Sequence, residues 1–253
     1  MDSEIPKFIK YLRLLSSINT TLKKRSYLLI LSHMRSRTTL LQHILGSNQD
    51  ICGQRELHTS YTNKWHFLRV KAALQNESNY GTATYLLDKL LHNNLDIEES
   101  LFNCNLKCIF MLRPPEDTMV SMIKMHHSLF RNHNTEHLVQ YYLERLNHLS
   151  RLSHNLGNYS IFLESDTLIN DSNHTLQKLT TFLDLAAPLT SNYNISKHTG
   201  IPGFGDPSNN IKSGKIVRTT KKTSKLTNTD LVNLKQKYQL AKQTIKNNCK
   251  LFI

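Results

Sequence analysis

No apolar run in this 253-residue sequence approaches the roughly 20 residues of a membrane span. The longest near its start, Tyr27–Leu31, is also too short and too late for a secretory leader. A cytoplasmic protein is therefore expected. The cysteine spacing of a zinc knuckle is missing too: Cys52, Cys104, Cys108 and Cys249 are far apart or unevenly placed, and the C-x3-C pair runs into an apolar stretch. Reduced, buried thiols are expected, and no metal. No internal repeat is present, and 39% hydrophobic with 20% charged residues argues against disorder over most of the chain. The length suits one α/β domain or two small ones, and we read a single domain over 1–253.

Acidic residues are scarce where basic ones are dense. From Pro207 to the end, ten lysines and Arg218 face only Asp230, which places +10 of the formal +13 in the tail. Such a bias attracts anions of any kind: nucleic acid, acidic lipid, a phosphorylated cofactor, or a sulfated or acidic substrate. Only Tyr238 and Phe252 are present there for stacking on bases, which disfavours a nucleic-acid partner. Leu231, Leu234, Tyr238 and Ile245 can line one stripe of a helix over Leu231–Lys250 with lysines opposite, so a solvated helix face accounts for much of the charge.

Short apolar, aromatic or β-branched runs at Tyr27–Ser32, Asp50–Gly53, Thr82–Leu87, Leu106–Leu112 and Tyr159–Leu163 read as strands. Helical spacing occurs at Pro6–Asn19, Thr38–Leu45, Trp65–Leu74, Glu116–Leu129, Thr135–Leu156 and His174–Leu183. Continuous apolar strands separated by helices predict an α/β fold, with a central, mainly parallel sheet of about five strands and helices on both faces. Ligands then sit at the carboxyl ends of the strands. Ser191–Ser213 is loop-rich, and the run HTGIPGFGDPSNNIKSGKI holds four of the eight glycines, so a mobile lid is expected there.

In YLLILSHMRSRTTLLQHILG a strand stops at Ser32 and a helix starts at about Thr38. That leaves first-turn N–H groups without intrahelical partners. With the helix dipole behind them and Arg35, Arg37, Thr38 and Thr39 in the turn, a phosphate or sulfate is the natural guest. The pattern G-x-x-x-x-G-K-[ST] is absent, since the turn has neither glycine nor a lysine before its hydroxyl pair, and an ordinary ATP or GTP machine is disfavoured. In CIFMLRPPEDTMVSMIKM, Arg113 ends a strand, Pro115 suits a first helical turn and Ser121 lies nearly two turns in. An arginine fork and a hydroxyl so spaced can grip one phosphate from two directions.

The stretch SHMRSRTTLL resembles the 5′-phosphosulfate loop of the sulfotransferases, with Arg35 in the place of its basic residue and Arg37 where many members carry glycine. From Arg113 to Ser121 the chain resembles the family's 3′-phosphate motif, R-x-P-x-x-x-x-x-S, position for position. Supporting likenesses are ATYLLDKLLHNN, whose Asp88-Lys89 borders the acceptor pocket in bacterial members, the acidic turn of Glu164 and Asp166, and the Gly-Asp-Pro loop of GFGDPSNNIKSGKIVR. The resemblance covers about residues 26–218 and identifies a sulfotransferase of the bacterial type.

That resemblance implies a P-loop-like three-layer α/β/α fold and sulfuryl transfer from 3′-phosphoadenylyl sulfate (PAPS), with adenosine 3′,5′-bisphosphate (PAP) as product and no required metal. The acceptor would be a hydroxyl or amine of a small molecule, lipid or carbohydrate. Arg35, Ser36, Arg37, Thr38 and Thr39 would bind the donor, with Arg35 also serving catalysis. Arg113 and Ser121 would hold the 3′-phosphate, and Lys215, with Lys212 and Arg218, would belong to a basic lid and helix over about 207–253. Glu164 and Asp166 would cap a helix start or hold neighbouring backbone. Glu56 is the first choice of base and His58 the second, because ICGQRELH ends the second strand, next to the first in such folds, and alternation aims both side chains one way. His92 and His126 are further choices. Two other readings stay open: an atypical P-loop kinase, needing magnesium and ATP, and a polyanion- or nucleic-acid-binding module carried by the tail.

Overall fold

β1 (Ser26–Ser32) is buried from Tyr27 onward, so it has no solvent face and must be covered on both sides. In the computed structural model, which describes residues 25–102, 105–129, 135–195, 199, 210–218 and 228–253, it is the third strand of a six-stranded sheet. Its parallel neighbours are β3 (Tyr85–Leu90) and β4 (Leu106–Leu112). β2 (Ile51–Cys52) joins β3, while β5 (Ser160–Glu164) and then β6 (Leu251–Phe252) extend the other edge. The order is β2-β3-β1-β4-β5-β6, with every pair parallel.

Three expectations need correction. The sheet has six strands, because the chain's last residues add β6, too short for its pattern to announce it. β3 runs three residues later than Thr82–Leu87 suggests, since Asp88 and Lys89 are buried strand residues despite their charge. β2 lies at the sheet edge beside β3, not beside β1.

Seven helices follow in chain order among the described residues: α1 (Thr38–Gly46), α2 (Lys64–Leu74), α3 (Pro115–Leu129), α4 (Thr135–Leu156), α5 (Thr167–Asn170), α6 (Ser172–Leu183) and α7 (Asn228–Asn248). α2 starts where it does because the Asn63 side chain accepts from the N–H groups of Trp65 and His66, at 3.0 and 3.2 Å. Alternation along β1 sends Leu28 and Ile30 into one core with α1, α5 and α6, and Leu29 and Leu31 into the other with α2, α3, α4 and α7. The three layers follow from that period of two. Leu234, Tyr238, Ala241 and Ile245 of α7 are buried in the second core, so the basic tail ends in a wall of that core. Truncation before Ile211 would remove that wall.

Cys52, Cys108 and Cys249 are buried free thiols. Cys104, Pro6–Asn19 and most of Ser191–Ser213, including its Gly-Asp-Pro, lie outside the described residues.

At their carboxyl ends the central strands are tied by polar groups. Ser32 Oγ donates to Met111 O at 2.5 Å. The buried His33 ring accepts from Arg113 N–H through Nε2 at 3.1 Å, and its Nδ1 lies 2.9 Å from Met34 O. A carbonyl at one nitrogen and an N–H at the other set the neutral tautomer with the proton on Nδ1. Burial, helped by the Arg113 and Arg145 charges, pushes this imidazole down to about 4.

Gly53, which follows β2, has φ +135°, and a Cβ there would stand 2.2 Å from Leu87 O. Gly53→Ala should therefore cost about 3 kcal/mol or more in urea unfolding. For His33, the unfolded chain takes up a proton near pH 6.5 while the folded chain resists until about 4. The His33 contribution to stability should fall by about 3 kcal/mol as pH drops through that window and no further below it. Between pH 7 and 4.5 the unfolding free energy of the wild type should therefore change less favourably than that of His33→Gln by about this amount, the opposite contribution of Asp88 being common to both.

Candidate active site

The connection from β1 to α1 curls because Arg35 and Arg37 both adopt left-handed backbone, at φ 63° and 67°. That conformation favours glycine, which explains why a glycine would suit position 37. The Arg37 side chain is held by Ser165 Oγ at 3.1 Å and by the Asp166 carboxylate. Ser36 is buried, donating to His33 O at 2.7 Å and lying 2.5 Å from Ser32 Oγ, so its hydroxyl braces the loop from within. Arg37, at the N-cap of α1, offers the first turn no side-chain bond. An uncapped helix start behind a curled loop presents backbone donors and the positive end of the dipole.

The second motif closes on the first. Arg35 Nε donates to Ser121 Oγ at 2.9 Å, and Arg113 Nη1 donates to Arg35 O at 3.0 Å. Arg113 Nη2 lies 3.8 Å from Asp117, while Arg113 Nε is buried with no hydrogen-bond partner. Burial and the Arg37 charge push this guanidinium down to about 10, against the pull of Asp117 and Asp166, so it stays charged at neutral pH. A desolvated donor without an acceptor is what an incoming anion satisfies.

Glu56, His58 and His92 form a second cluster. Its backbone is set by Asp88, whose Oδ1 accepts from Leu57 N–H at 3.0 Å and Lys89 N–H at 2.7 Å, and whose Oδ2 accepts from Tyr61 OH at 3.0 Å. Burial pushes Asp88 up to about 7 in spite of those three donors. With Leu57 pinned, Glu56 Oε1 lies 3.4 Å from His58 Nδ1 and 3.4 Å from His92 Nε2, and Oε2 lies 3.6 Å from Lys89 Nζ. Burial raises the Glu56 carboxyl, but His92, Lys89 and His58 together hold it below its ordinary value. Strand alternation does not bring Glu56 and His58 together: β2 ends at Cys52, and His58 is left-handed at φ 49°. Lys89 Nζ also donates to Thr39 Oγ1 at 3.3 Å, which links this cluster to the start of α1.

Three residues of α4 organise the site without having been expected there. Arg145, fully buried, donates to Ser32 O at 2.8 Å, His92 O at 2.9 Å and Leu90 O at 2.6 Å. Tyr141 OH accepts from Met34 N–H at 2.8 Å and donates to Leu91 O at 2.5 Å, and Tyr142 OH donates to Arg113 O at 2.9 Å. The signal was an arginine on the apolar stripe of Leu138, Tyr142, Leu149, Leu152 and Leu156, where a charge has no place unless it is used.

Other expected residues are not brought together. Lys215 is exposed; its main chain accepts from Tyr193 OH at 3.2 Å, and among the described residues its side chain makes no hydrogen bond or ion pair. Thr38 is buried at the helix start. The His126 side chain lies outside the described residues. Neither Glu164, the last residue of β5, nor Asp166 caps a helix: Asp166 stands at the N-cap of α5 without a side-chain cap bond and holds Arg37, while Glu164 accepts from Tyr238 OH at 3.1 Å and pairs with Lys242.

No curated protein is significantly similar to the chain in sequence. Among solved structures, the chain is similar to the sulfotransferase domain from the curacin biosynthetic pathway, at 15% identity and TM-score 0.57, over 85% of this chain and 97% of that one. It is also similar to the sulfotransferase domain of the Synechococcus PCC 7002 olefin synthase, at 16% identity and TM-score 0.58, over 86% and 96%. At such identities the likeness is one of fold. Residues 25–227 match the sulfotransferase domain family, a span that takes in the β1–α1 loop, the Arg113–Ser121 motif and the Glu56 cluster: the chain belongs to the sulfotransferase domain family.

Proposed function

We propose that the protein moves a sulfuryl group from PAPS to a hydroxyl or amine of a small-molecule, lipid or carbohydrate acceptor. The observation that carries this reading is the hydrogen bond from Arg35 to Ser121, which joins the β1–α1 loop to the second motif in one cationic pocket. The donor set fits the nucleotide: a curled loop and uncapped helix start for the 5′ end, and Arg113 with an unsatisfied buried Nε for the 3′-phosphate. When bound, PAPS supplies an activated sulfuryl group, whose S–O bond to the 5′-phosphate breaks as a new bond to the acceptor forms and PAP leaves. Among the described residues no helix is long and apolar enough to cross a membrane.

The residues divide the work. The N–H groups of the loop, Arg35, Thr38 and Thr39 bind and orient negative charge, and this preorganisation lowers the barrier most. Ser36 and Arg37 act by holding the loop's shape. Lys89 stands between Thr39 Oγ1 and Glu56 Oε2 and so places a positive charge against both parts of the site. Glu56 takes the acceptor's proton on Oε1, the buried oxygen that has no aligned hydrogen bond among the described residues. Held below its ordinary pKa, it is ionised at neutral pH, and because the same shift makes it a weaker base its contribution rests on position more than on proton affinity. His58 and His92 flank that oxygen and stabilise its charge.

PAP should raise the melting temperature well above the effect of 5′-AMP, because Arg113 and Ser121 answer only the 3′-phosphate. Charge-assisted hydrogen bonds are worth about 1.5–3 kcal/mol each, so Arg113→Ala should weaken PAP by about tenfold or more in calorimetry. Equal stabilisation by the two nucleotides would remove the second motif's assigned role. Glu56→Gln keeps the shape and loses the proton acceptor, so turnover should drop by about 10²–10⁴-fold with PAP affinity nearly unchanged. A near wild-type rate in that variant, with His58→Asn or His92→Asn inactive, would transfer the base to the histidine concerned.

A further inference from the structure

Glu56, His58 and His92 each offer one donor atom, and the three atoms lie within 4.8 Å of one another. Two of the spacings, from Glu56 Oε1 to His58 Nδ1 and to His92 Nε2, are 3.4 Å. A tetrahedral zinc ion with bonds of about 2.0–2.1 Å keeps neighbouring donor atoms roughly 3.3–3.4 Å apart. The remaining spacing lies between two imidazoles whose rings are 5.5 Å apart and tilted by 34°, and small rotations of these outer side chains can close it.

Burial adds to this geometry. The Glu56 side chain is only 8% exposed, and its buried Oε1 faces both imidazole nitrogens at 3.4 Å without an aligned hydrogen bond from either among the described residues. An acceptor so placed between two ring nitrogens is one that a shared cation satisfies. Lys89 stands against the other oxygen, Oε2, and leaves Oε1 to face the histidines. The His58 and His92 side chains are 52% and 37% exposed, which leaves a path to solvent and room for water as fourth ligand. Two imidazoles and one carboxylate suit zinc or a neighbouring first-row ion, not magnesium or calcium.

We propose that Glu56, His58 and His92 form an open three-ligand site for a divalent transition-metal ion of the zinc type, and that occupancy blocks sulfuryl transfer by taking the Oε1 lone pair. The inhibitory half rests on the reading of Glu56 as the base; the binding half stands on the geometry alone.

Cobalt(II) titration of metal-free, full-length protein tests the binding half. One equivalent should produce the intense visible bands of four-coordinate cobalt, and zinc should bleach them. Glu56→Gln, His92→Asn and His58→Asn should each weaken binding by about tenfold or more; asparagine is chosen at 58 because it tolerates the left-handed backbone found there. Absence of the bands, or equal affinity in the wild type and all three variants, overturns the site. For the inhibitory half, transfer of labelled sulfate from PAPS is followed as zinc rises. The inhibition midpoint should match the binding midpoint, shift with it in His92→Asn, and be reversed by EDTA. Full transfer by zinc-saturated protein overturns the inhibition while leaving the site in place.

Discussion

The site depends on one buried guanidinium. Arg145 comes from α4 beneath the carboxyl ends of the central strands and divides its donors among Ser32 O, Leu90 O and His92 O. Among the described residues it forms no ion pair, and burial pushes it down to about 10 against the pull of Tyr141, Asp96 and Glu56; three charge-assisted bonds offset a desolvation that would otherwise expel the charge. The first of those carbonyls ends β1, where the connection to α1 departs. The other two end β3 and fix the turn carrying His92. One side chain thereby sets the distance between the β1–α1 loop and the Glu56 cluster, the two halves of the proposed site.

Around it the fold buries polar groups at one end of the sheet. His33, Ser36, Asp88, Lys89 and Arg145 are all buried, and each except Lys89 is satisfied chiefly by backbone N–H or carbonyl groups. Buried polar groups are costly unless bonded, and bonded ones are rigid. The rigidity suits a reaction in which the protein contributes orientation and fixed charge. Its cost is visible in the shifted His33 and Asp88, whose pH dependences run in opposite senses between about pH 4 and 6.5: ionisation of Asp88 lowers stability as pH rises, and protonation of unfolded His33 lowers it as pH falls.

Much of this was legible from residue order. Apolar runs at β1, β4 and β5 named the central strands because strands covered on both faces tolerate few polar residues. The loop from Ser32 to Thr39 and the Arg113–Ser121 spacing were legible because each sits where one strand hands over to one helix. β3 was displaced by three residues because its polar Asp88 and Lys89 are satisfied by groups from elsewhere. α7 was legible as a stripe, yet nothing in its sequence said that the stripe completes the core shared with α4.

The sequence by itself determined most of the elements, the parallel sheet and the two motifs proposed to bind anions, since these rest on periodicity and on spacing within about ten residues. Tertiary structure alone decided that Arg35 reaches Ser121, that His92 joins Glu56 and His58, and that Arg145 ties the strand ends. The groups brought together are separated by tens of residues in the chain and by a few ångströms in space. Their contacts depend on strand order, which places β3 between β2 and β1, and no local pattern of side chains carries that order.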